Sequence, residues 1–442
     1  MNTAPIAPRL PLVGNLFAFQ RDPLGFLTSM RRTHGDVVDV ALGPLKVTLV
    51  SHPDLVEDIL VTRSKLWKKD RFLQTTLRPL LGDGLLSSEG DFWRKQRRLA
   101  QPAFHRDRIA AYAGIMVDHA SRLAGRWGDG EVRDVHKDMM RLTLDIVAQT
   151  LFGAEVGEHA DAVGEALEAV LALVSDPLTL LVLKYFPTPK KMRFDRAVTR
   201  LDAIIYGIIE GRRKTAAGPT DDLLSMLLHA QDEDGSRMTA KQLRDECMTI
   251  FLAGHETTAI NLSWTWFLLS QHPDAKAKLV RELDLVLGDR PATFADLPSL
   301  RYTGHVIAES LRMYPPAWSM GREAIDDVDV GGYRVPRGHQ IWFCPWAIQR
   351  DPRWFDAPDS FQPERWEGDL AKRLPRFAYF PFGGGPRFCI GQAFAQLEAV
   401  LLLATLARAF DVEVLPKPAA TPQPSVTLRP KHGLRVRLTR RG

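Results

Sequence analysis

The sequence is poor in cysteine, with three in 442 residues: Cys247, Cys344 and Cys389. An odd, sparse set argues against a disulfide framework and suits a reducing compartment, so a cytoplasmic location is expected. No C-x-x-C pair occurs, which argues against a structural zinc site. Long apolar runs are also missing. Residues 399–404 form one of the longest, far short of the roughly 20 needed to span a bilayer. Residues 1–16 lack the basic cluster and apolar core of a secretory leader, so no membrane anchor is expected. No basic stripe with interleaved aromatics marks a nucleic-acid partner, and no internal repeat or clean domain boundary breaks the chain. What is left is an ordinary globular composition, 45% hydrophobic and 25% charged, with a net charge of +5. The mild positive excess fits either a solvated surface or a local docking patch for an acidic partner.

Against that background one stretch is unusual. Residues 382–391 read Phe-Gly-Gly-Gly-Pro-Arg-Phe-Cys-Ile-Gly, a lone cysteine in a glycine-rich loop, directly ahead of an apolar helical run over 392–410. Glycines let a backbone pass close to a flat partner and take positive φ. The amide-rich start of the following helix favours a thiolate at Cys389. A thiolate under a planar, apolar face is what a haem iron takes as an axial ligand. An ordinary buried cysteine, the usual state of a lone Cys, needs neither three consecutive glycines nor the neighbouring Arg387.

The pattern Phe382-x-x-Gly385-x-Arg387-x-Cys389-x-Gly391 resembles the haem-binding loop of the cytochrome P-450 family, and every fixed position is met. The resemblance implies haem b as cofactor, Cys389 as its thiolate ligand and Arg387 on a haem propionate, with Phe382 and Gly391 completing the loop.

A second element agrees. Thr239-Ala-Lys-Gln242 fits a capping box, and the helical pattern runs on to Ser270 with Pro273 beyond it. That is about 30 residues, far longer than the usual 11–12. In its middle, Ala253-Gly-His-Glu-Thr-Thr258 combines a glycine, costing roughly 1 kcal/mol against alanine, with two threonines whose hydroxyls compete for backbone carbonyls and can open the ladder. The segment resembles the family's oxygen-activating motif. On that resemblance Glu256 is the acid, Thr257 the hydroxyl that bonds dioxygen, and Ala253 and Gly254 leave the gap where oxygen sits.

The remaining signals fall in the family's order. Residues 1–9 read as a loose arm and 22–33 as a helix. Segments 36–42 and 46–50 alternate around Gly43-Pro44 as a hairpin. Residues 67–90 read as irregular, with Pro79, Gly82 and Gly84. The resemblance makes this the segment covering the substrate pocket through Phe72, Leu73, Thr76 and Leu77. Trp93 and Arg97 share one helical face and can both donate to a carboxylate; the resemblance gives them a haem propionate. Arg94, Lys95 and Arg98 lie beside them, so at least some of these are expected to face outward. Residues 176–189, rich in Leu, Val, Tyr, Phe and Pro, suit a mobile lid or a small interaction or membrane-contact patch; the resemblance makes them a lid over the substrate channel. Glu309 and Arg312 are spaced to pair on a helix, and the resemblance joins Arg365 to them as a buried structural set. It also makes Arg322 a propionate ligand and puts Ala317, Trp318, Met320, Val426 and Thr427 on the substrate-pocket wall. Residues 425–428 and 434–438 read as a final hairpin.

The expected fold is therefore mainly α with a small β part, a single cytochrome P-450 domain over residues 1–442. The expected activity is haem-thiolate monooxygenation: one atom of O2 enters an apolar organic substrate and the other leaves as water. A peroxide-driven haem-thiolate enzyme or isomerase is a rival, though such relatives tend to lack the acid–alcohol pair. A non-catalytic haem protein that binds a gas is another, though it would need neither Glu256-Thr257 nor a large apolar pocket. Because the sequence ends shortly past its last expected strand, electrons are expected from a separate acidic ferredoxin or flavodoxin, with the chain acting as a monomer. Among apolar substrates, the sequence does not choose between fatty acids, terpenes and polyketides.

Overall fold

Proline positions and polar caps set where the helices begin. Asp22 accepts from the Gly25 amide and Pro23 occupies the first turn of the helix Pro23–His34. Thr239 and Gln242 form the predicted capping box of Ala240–Gln271, which is 32 residues long. The structure is a computed structural model that describes residues 3–154, 163, 164, 166, 169, 170, 188–215, 222–231, 235 and 237–441. The lid expected over 176–189 lies almost wholly outside them. Helices dominate the described residues, with the strands gathered in small sheets. The chain divides into two compact units, Met1–Arg71 with Ala308–Cys389, and Phe72–Ile307 with Ile390–Gly442.

The first unit is built on a five-stranded sheet in the order Val37–Leu42, Leu45–Val50, Gln340–Phe343, Met320–Ala324, Trp67–Lys69. The first two strands form the predicted hairpin, in register from Val37 opposite Val50 to Leu42 opposite Leu45, and Gly43 turns the corner at φ 63°. Residues 4–7, expected to hang loose, are paired. The Ala7 amide donates to the Asp39 carbonyl at 3.0 Å, Asp39 returns a bond to Pro5 at 2.8 Å, and Ala4 and Ala7 are buried. Small side chains let this arm lie against the sheet edge. Under the sheet, Ile59, Leu60, Trp67, Ile341, Phe343, Phe377 and Phe380 make a continuous apolar core.

The second unit is a helical bundle. Ala240–Gln271 packs along Val135–Phe152, and Gln392–Ala409 packs against both Arg106–Arg126 and the long helix. Both Ala240–Gln271 and Gln392–Ala409 are buried around most of their circumference, as expected of helices apolar on every side. A three-stranded sheet of Val132–Asp134, Arg435–Arg440 and Phe410–Val414 closes the C-terminal end.

Two sequence expectations are corrected. The stretch 67–90 is largely ordered: Trp67–Lys69 is a strand, Phe72–Leu77 a π-helical turn and Arg78–Leu81 an α-turn. Pro79 reads as a breaker but stands in the first turn, where its missing N–H costs nothing. The C-terminal segments do not pair with one another. Leu428–Pro430 pairs with Pro422–Pro424, and Arg435–Arg440 pairs with Phe410–Val414 and Val132–Asp134. Partner choice is a long-range matter on which alternation within a strand is silent.

The Glu309 cluster in the first unit is as predicted. Arg312 forks onto Glu309 at 2.9 and 2.8 Å, Arg365 Nε reaches it at 2.9 Å, and Trp366 Nε1 at 2.9 Å. The remaining Arg312 donors go to the carbonyls of Gln349, Pro358 and Ser360. Neither Glu309 nor Arg312 is exposed at all. Removing one partner leaves an uncompensated buried charge, so Arg312→Ala should lower unfolding stability by about 3–5 kcal/mol. A denaturant midpoint equal to that of the parent protein would show the cluster to be dispensable.

Candidate active site

In the first unit, sterics explain why the cysteine loop needs its glycines. Gly383 and Gly385 take φ 71° and 65°. A Cβ on Gly385 would lie 1.8 Å from the Leu60 carbonyl oxygen, and one on Gly384 would lie 2.2 Å from the Phe377 ring. The loop is therefore pressed onto the sheet core with no room for side chains. Two amide bonds close it, Phe388 to the Gly385 carbonyl at 3.0 Å and Cys389 to the Phe382 carbonyl at 3.1 Å. Cys389 emerges exposed, whereas Cys247 and Cys344 are buried. Burial pushes the Cys344 thiol up to about 12 and Cys247 higher still, so both stay protonated and inert. Among the three cysteines, only Cys389 is presented for coordination.

In the second unit, the long helix has one uncovered spot in its buried middle. Ala253 is exposed and Gly254 and Thr257 are half-buried, while His255, Glu256 and Thr258 are buried. Residues 253, 254 and 257 share a face, so they line a notch. A Cβ on Gly254 would come within 3.1 Å of Val147, so the notch already has a tight wall. The predicted opening of the ladder does not occur. Thr257 Oγ1 donates to the Ala253 carbonyl at 2.9 Å within a continuous α-helix; that carbonyl takes the hydroxyl as an extra donor. Glu256 Oε1 accepts from Thr427 Oγ1 at 2.8 Å. Burial drives the Glu256 carboxyl above the ordinary carboxylate range, with Thr427 and the Arg429 charge opposing.

The match to the cytochrome P450 family model runs over residues 5–436. The chain belongs to the cytochrome P450 family. It is 39% identical to cyclooctatin synthase of Streptomyces melanosporofaciens, over 95% of this chain and 92% of the relative. It is 37% identical to pentalenene oxygenase of Streptomyces avermitilis, over 99% and 97%. It is 39% identical to cyclooctat-9-en-7-ol 5-monooxygenase of S. melanosporofaciens, over 92% and 89%. As a P450 the chain works with a haem and has the mainly α fold of the family. It is a haem-thiolate monooxygenase that inserts one oxygen atom from O2 into an apolar organic substrate, with electrons from a redox partner. The exposed thiol on its glycine loop and the uncovered notch in a buried helix both fit a haem.

The other predicted residues of this P450 fall as follows. Trp93 is buried and Arg97 half-buried in the helix Gly90–Ala100, with Arg97 Nε donating to Gln101 at 3.1 Å. They line an open groove of about 380 Å³ with Arg94, Arg98, Gln101, Pro102 and His105. Arg94 and Arg98 face outward as expected, Arg94 paired with Asp91; Lys95 is half-buried. Arg322 is buried over the Phe343 ring and donates to the Gly321 carbonyl. Met320 lies beside the cysteine loop, 3.7 Å from where a Gly383 Cβ would be. Trp318 is buried and its carbonyl accepts from the Cys344 thiol, while Ala317 is half-buried. Phe72, Leu73 and Thr76 are half-buried; Leu77 is buried. Val426 is half-buried, but Thr427 is buried against Glu256.

Sequence reasoning missed a set of buried polar groups around the long helix. Thr143 donates to the His255 carbonyl at 2.9 Å. Asp245 and Glu246 accept from the Asp83 and Leu85 amides at 2.9 and 3.1 Å, clasping the segment after Leu81 to the helix. Glu398, on Gln392–Ala409, faces the Thr258 hydroxyl without reaching hydrogen-bonding geometry. Burial raises Glu246 and Glu398 to about 8 and lowers His255 to about 4, so all three are mainly uncharged at neutral pH. A run of polar residues inside an apolar helix was the available signal, but it does not say which partners it meets.

Proposed function

We propose that Cys389 is the thiolate ligand of a haem b iron, and that the substrate is a terpenoid hydrocarbon or alcohol. The observation that carries the first statement is Cys389 itself, an exposed thiol on a loop where Gly384 and Gly385 have no room for a side chain and Gly383 and Gly385 take positive φ. Arg387, Arg322, Arg97 and Trp93 would bond the propionates. Phe382, Gly391, Ala253 and Gly254 would lie against the macrocycle. When bound, the haem supplies an iron that activates O2, with the thiolate donating electron density that favours O–O cleavage.

The chain's own groups then handle protons. Burial raises the Glu256 carboxyl above the ordinary carboxylate range, which favours its protonated form, and Thr257 carries a hydroxyl at the edge of the notch. Its bond to the Ala253 carbonyl leaves the oxygen lone pairs available to accept, and the hydroxyl can hand a proton on only by rotating its single O–H away from that carbonyl. The terpenoid reading rests on the names of relatives that refer to pentalenene and cyclooctat-9-en-7-ol, together with Trp318, Met320, Phe72, Leu73 and Val426 as apolar candidates for the pocket wall. Electrons would come from an acidic ferredoxin or flavodoxin at the Arg94 and Arg98 face, to a monomer in the cytoplasm, where the three thiols stay reduced.

Three measurements test this. The reduced, carbon monoxide-bound protein should show the strongly red-shifted band of thiolate ligation, and Cys389→His should abolish it; a band that survives the change would exclude Cys389 as ligand. Titrating the ferric protein with pentalenene and with fatty acids should give a low- to high-spin shift with the former. A response confined to fatty acids would overturn the terpenoid reading. Reduction by a ferredoxin should slow steeply as ionic strength rises, and Arg98→Glu should slow it further. Salt-independent reduction would place the docking face elsewhere.

A further inference from the structure

Thr427 stands in the turn between Pro422–Pro424 and Leu428–Pro430, and its side chain is buried. The turn is tied twice to the long helix. Thr427 Oγ1 donates to Glu256 Oε1 at 2.8 Å, and eight residues along the helix Trp264 Nε1 donates to the Leu428 carbonyl at 2.8 Å. Eight residues are about two turns, so the hairpin is pinned along one stripe of the helix. The turn itself is closed by the Ser425 amide on the Thr427 carbonyl at 3.1 Å, and the strands pair from Pro422 opposite Pro430 to Pro424 opposite Leu428. Thr427 therefore cannot drift from Glu256 without breaking backbone bonds as well. Arg429, on the same hairpin, is the charged group whose field acts on the Glu256 carboxyl.

We propose that Thr427 is a positioning residue for proton delivery: by holding one carboxyl oxygen of Glu256, the C-terminal hairpin fixes where that acid hands on its proton. This rests on the reading of Glu256 as the relay acid. A hydroxyl suits the task because it donates to the ionised carboxylate and accepts from the protonated one, so the carboxyl stays in place through both halves of a proton transfer. Valine has the same shape and can do neither. The residue is thus removed from the substrate-pocket wall and assigned to the acid, leaving Val426 as the hairpin's pocket candidate.

The test compares the holoenzyme with Thr427→Val, Thr427→Ser and Glu256→Gln, with cumene hydroperoxide as probe. The ratio of cumyl alcohol to acetophenone reports heterolytic against homolytic O–O cleavage, and heterolysis needs a proton on the departing oxygen. Thr427→Val should lower the ratio about fivefold, the effect of losing one neutral hydrogen bond, and Thr427→Ser should restore it. A second readout is independent of turnover. In the substrate-free ferric protein, the infrared carbonyl band that Glu256→Gln abolishes should titrate at higher pH in Thr427→Val, because the ionised form has lost a donor. A Thr427→Val protein with parent ratio and parent titration, beside a Glu256→Gln protein with a lowered ratio, overturns the positioning role alone. Equal losses in the Val and Ser variants would mark a packing role and overturn it too. A parent ratio in Glu256→Gln overturns the relay reading, and this proposal with it.

Discussion

Five donors converge on the carboxylate of Glu309: two from Arg312 and one each from Arg365, Trp366 and the Gln362 amide. A carboxylate with no exposure is tolerable only when its lone pairs are filled and its charge is matched. Here both conditions hold, and the consequence is geometric. The helix end carrying Glu309 and Arg312, the Pro363–Trp366 turn and the carbonyls of Gln349, Pro358 and Ser360 can meet in only one arrangement. Gln349 passes the constraint on, its side-chain amide donating to the Leu311 and Arg312 carbonyls and its oxygen accepting from the Phe380 amide at 3.1 Å. Phe380 leads directly into the cysteine loop.

From there the constraint becomes steric. Phe377 and Phe380 belong to the apolar core beneath the sheet, and the loop glycines rest on Phe377 and on the Leu60 carbonyl. A filled electrostatic cluster, a packed aromatic core and a loop stripped of side chains therefore act in series to hold one thiol in the open. A P450 needs that rigidity, because its thiolate must stay reactive toward a metal without becoming a general nucleophile.

The long helix meets the opposite demand. It must be buried to pack the bundle, yet it carries an acid and two hydroxyls at mid-span. Burial settles the charge states of the ionisable groups on it and on the helices packed against it: His255 and, on Val135–Phe152, His136 are pushed down to about 4 and stay neutral, while Glu246 and, on Gln392–Ala409, Glu398 are pushed up to about 8 and stay mostly protonated. Glu256 is raised too, but it alone of these acids is bonded from a hydroxyl on a separate hairpin. That contact distinguishes it from its neighbours more clearly than its position in the sequence does.

Much was legible in the sequence because it depends on local chemistry. The capping box at Thr239 and Gln242, the hairpin around Gly43, the glycine loop before Cys389 and the Glu309–Arg312 spacing are set by residues close together in the chain. Their backbone geometry follows from sterics and short-range hydrogen bonds. The motifs also sufficed to reach the family and its activity. What the sequence left open was decided by contacts between distant residues. Pro79 begins a turn instead of breaking one because its surroundings supply a helical frame. The strands after Phe410 choose partners that alternation cannot name. Thr427 turns to Glu256, 171 positions away. A hydroxyl's partner, like a buried acid's charge, is fixed by what surrounds it in three dimensions, and that surrounding exists only once the chain has folded.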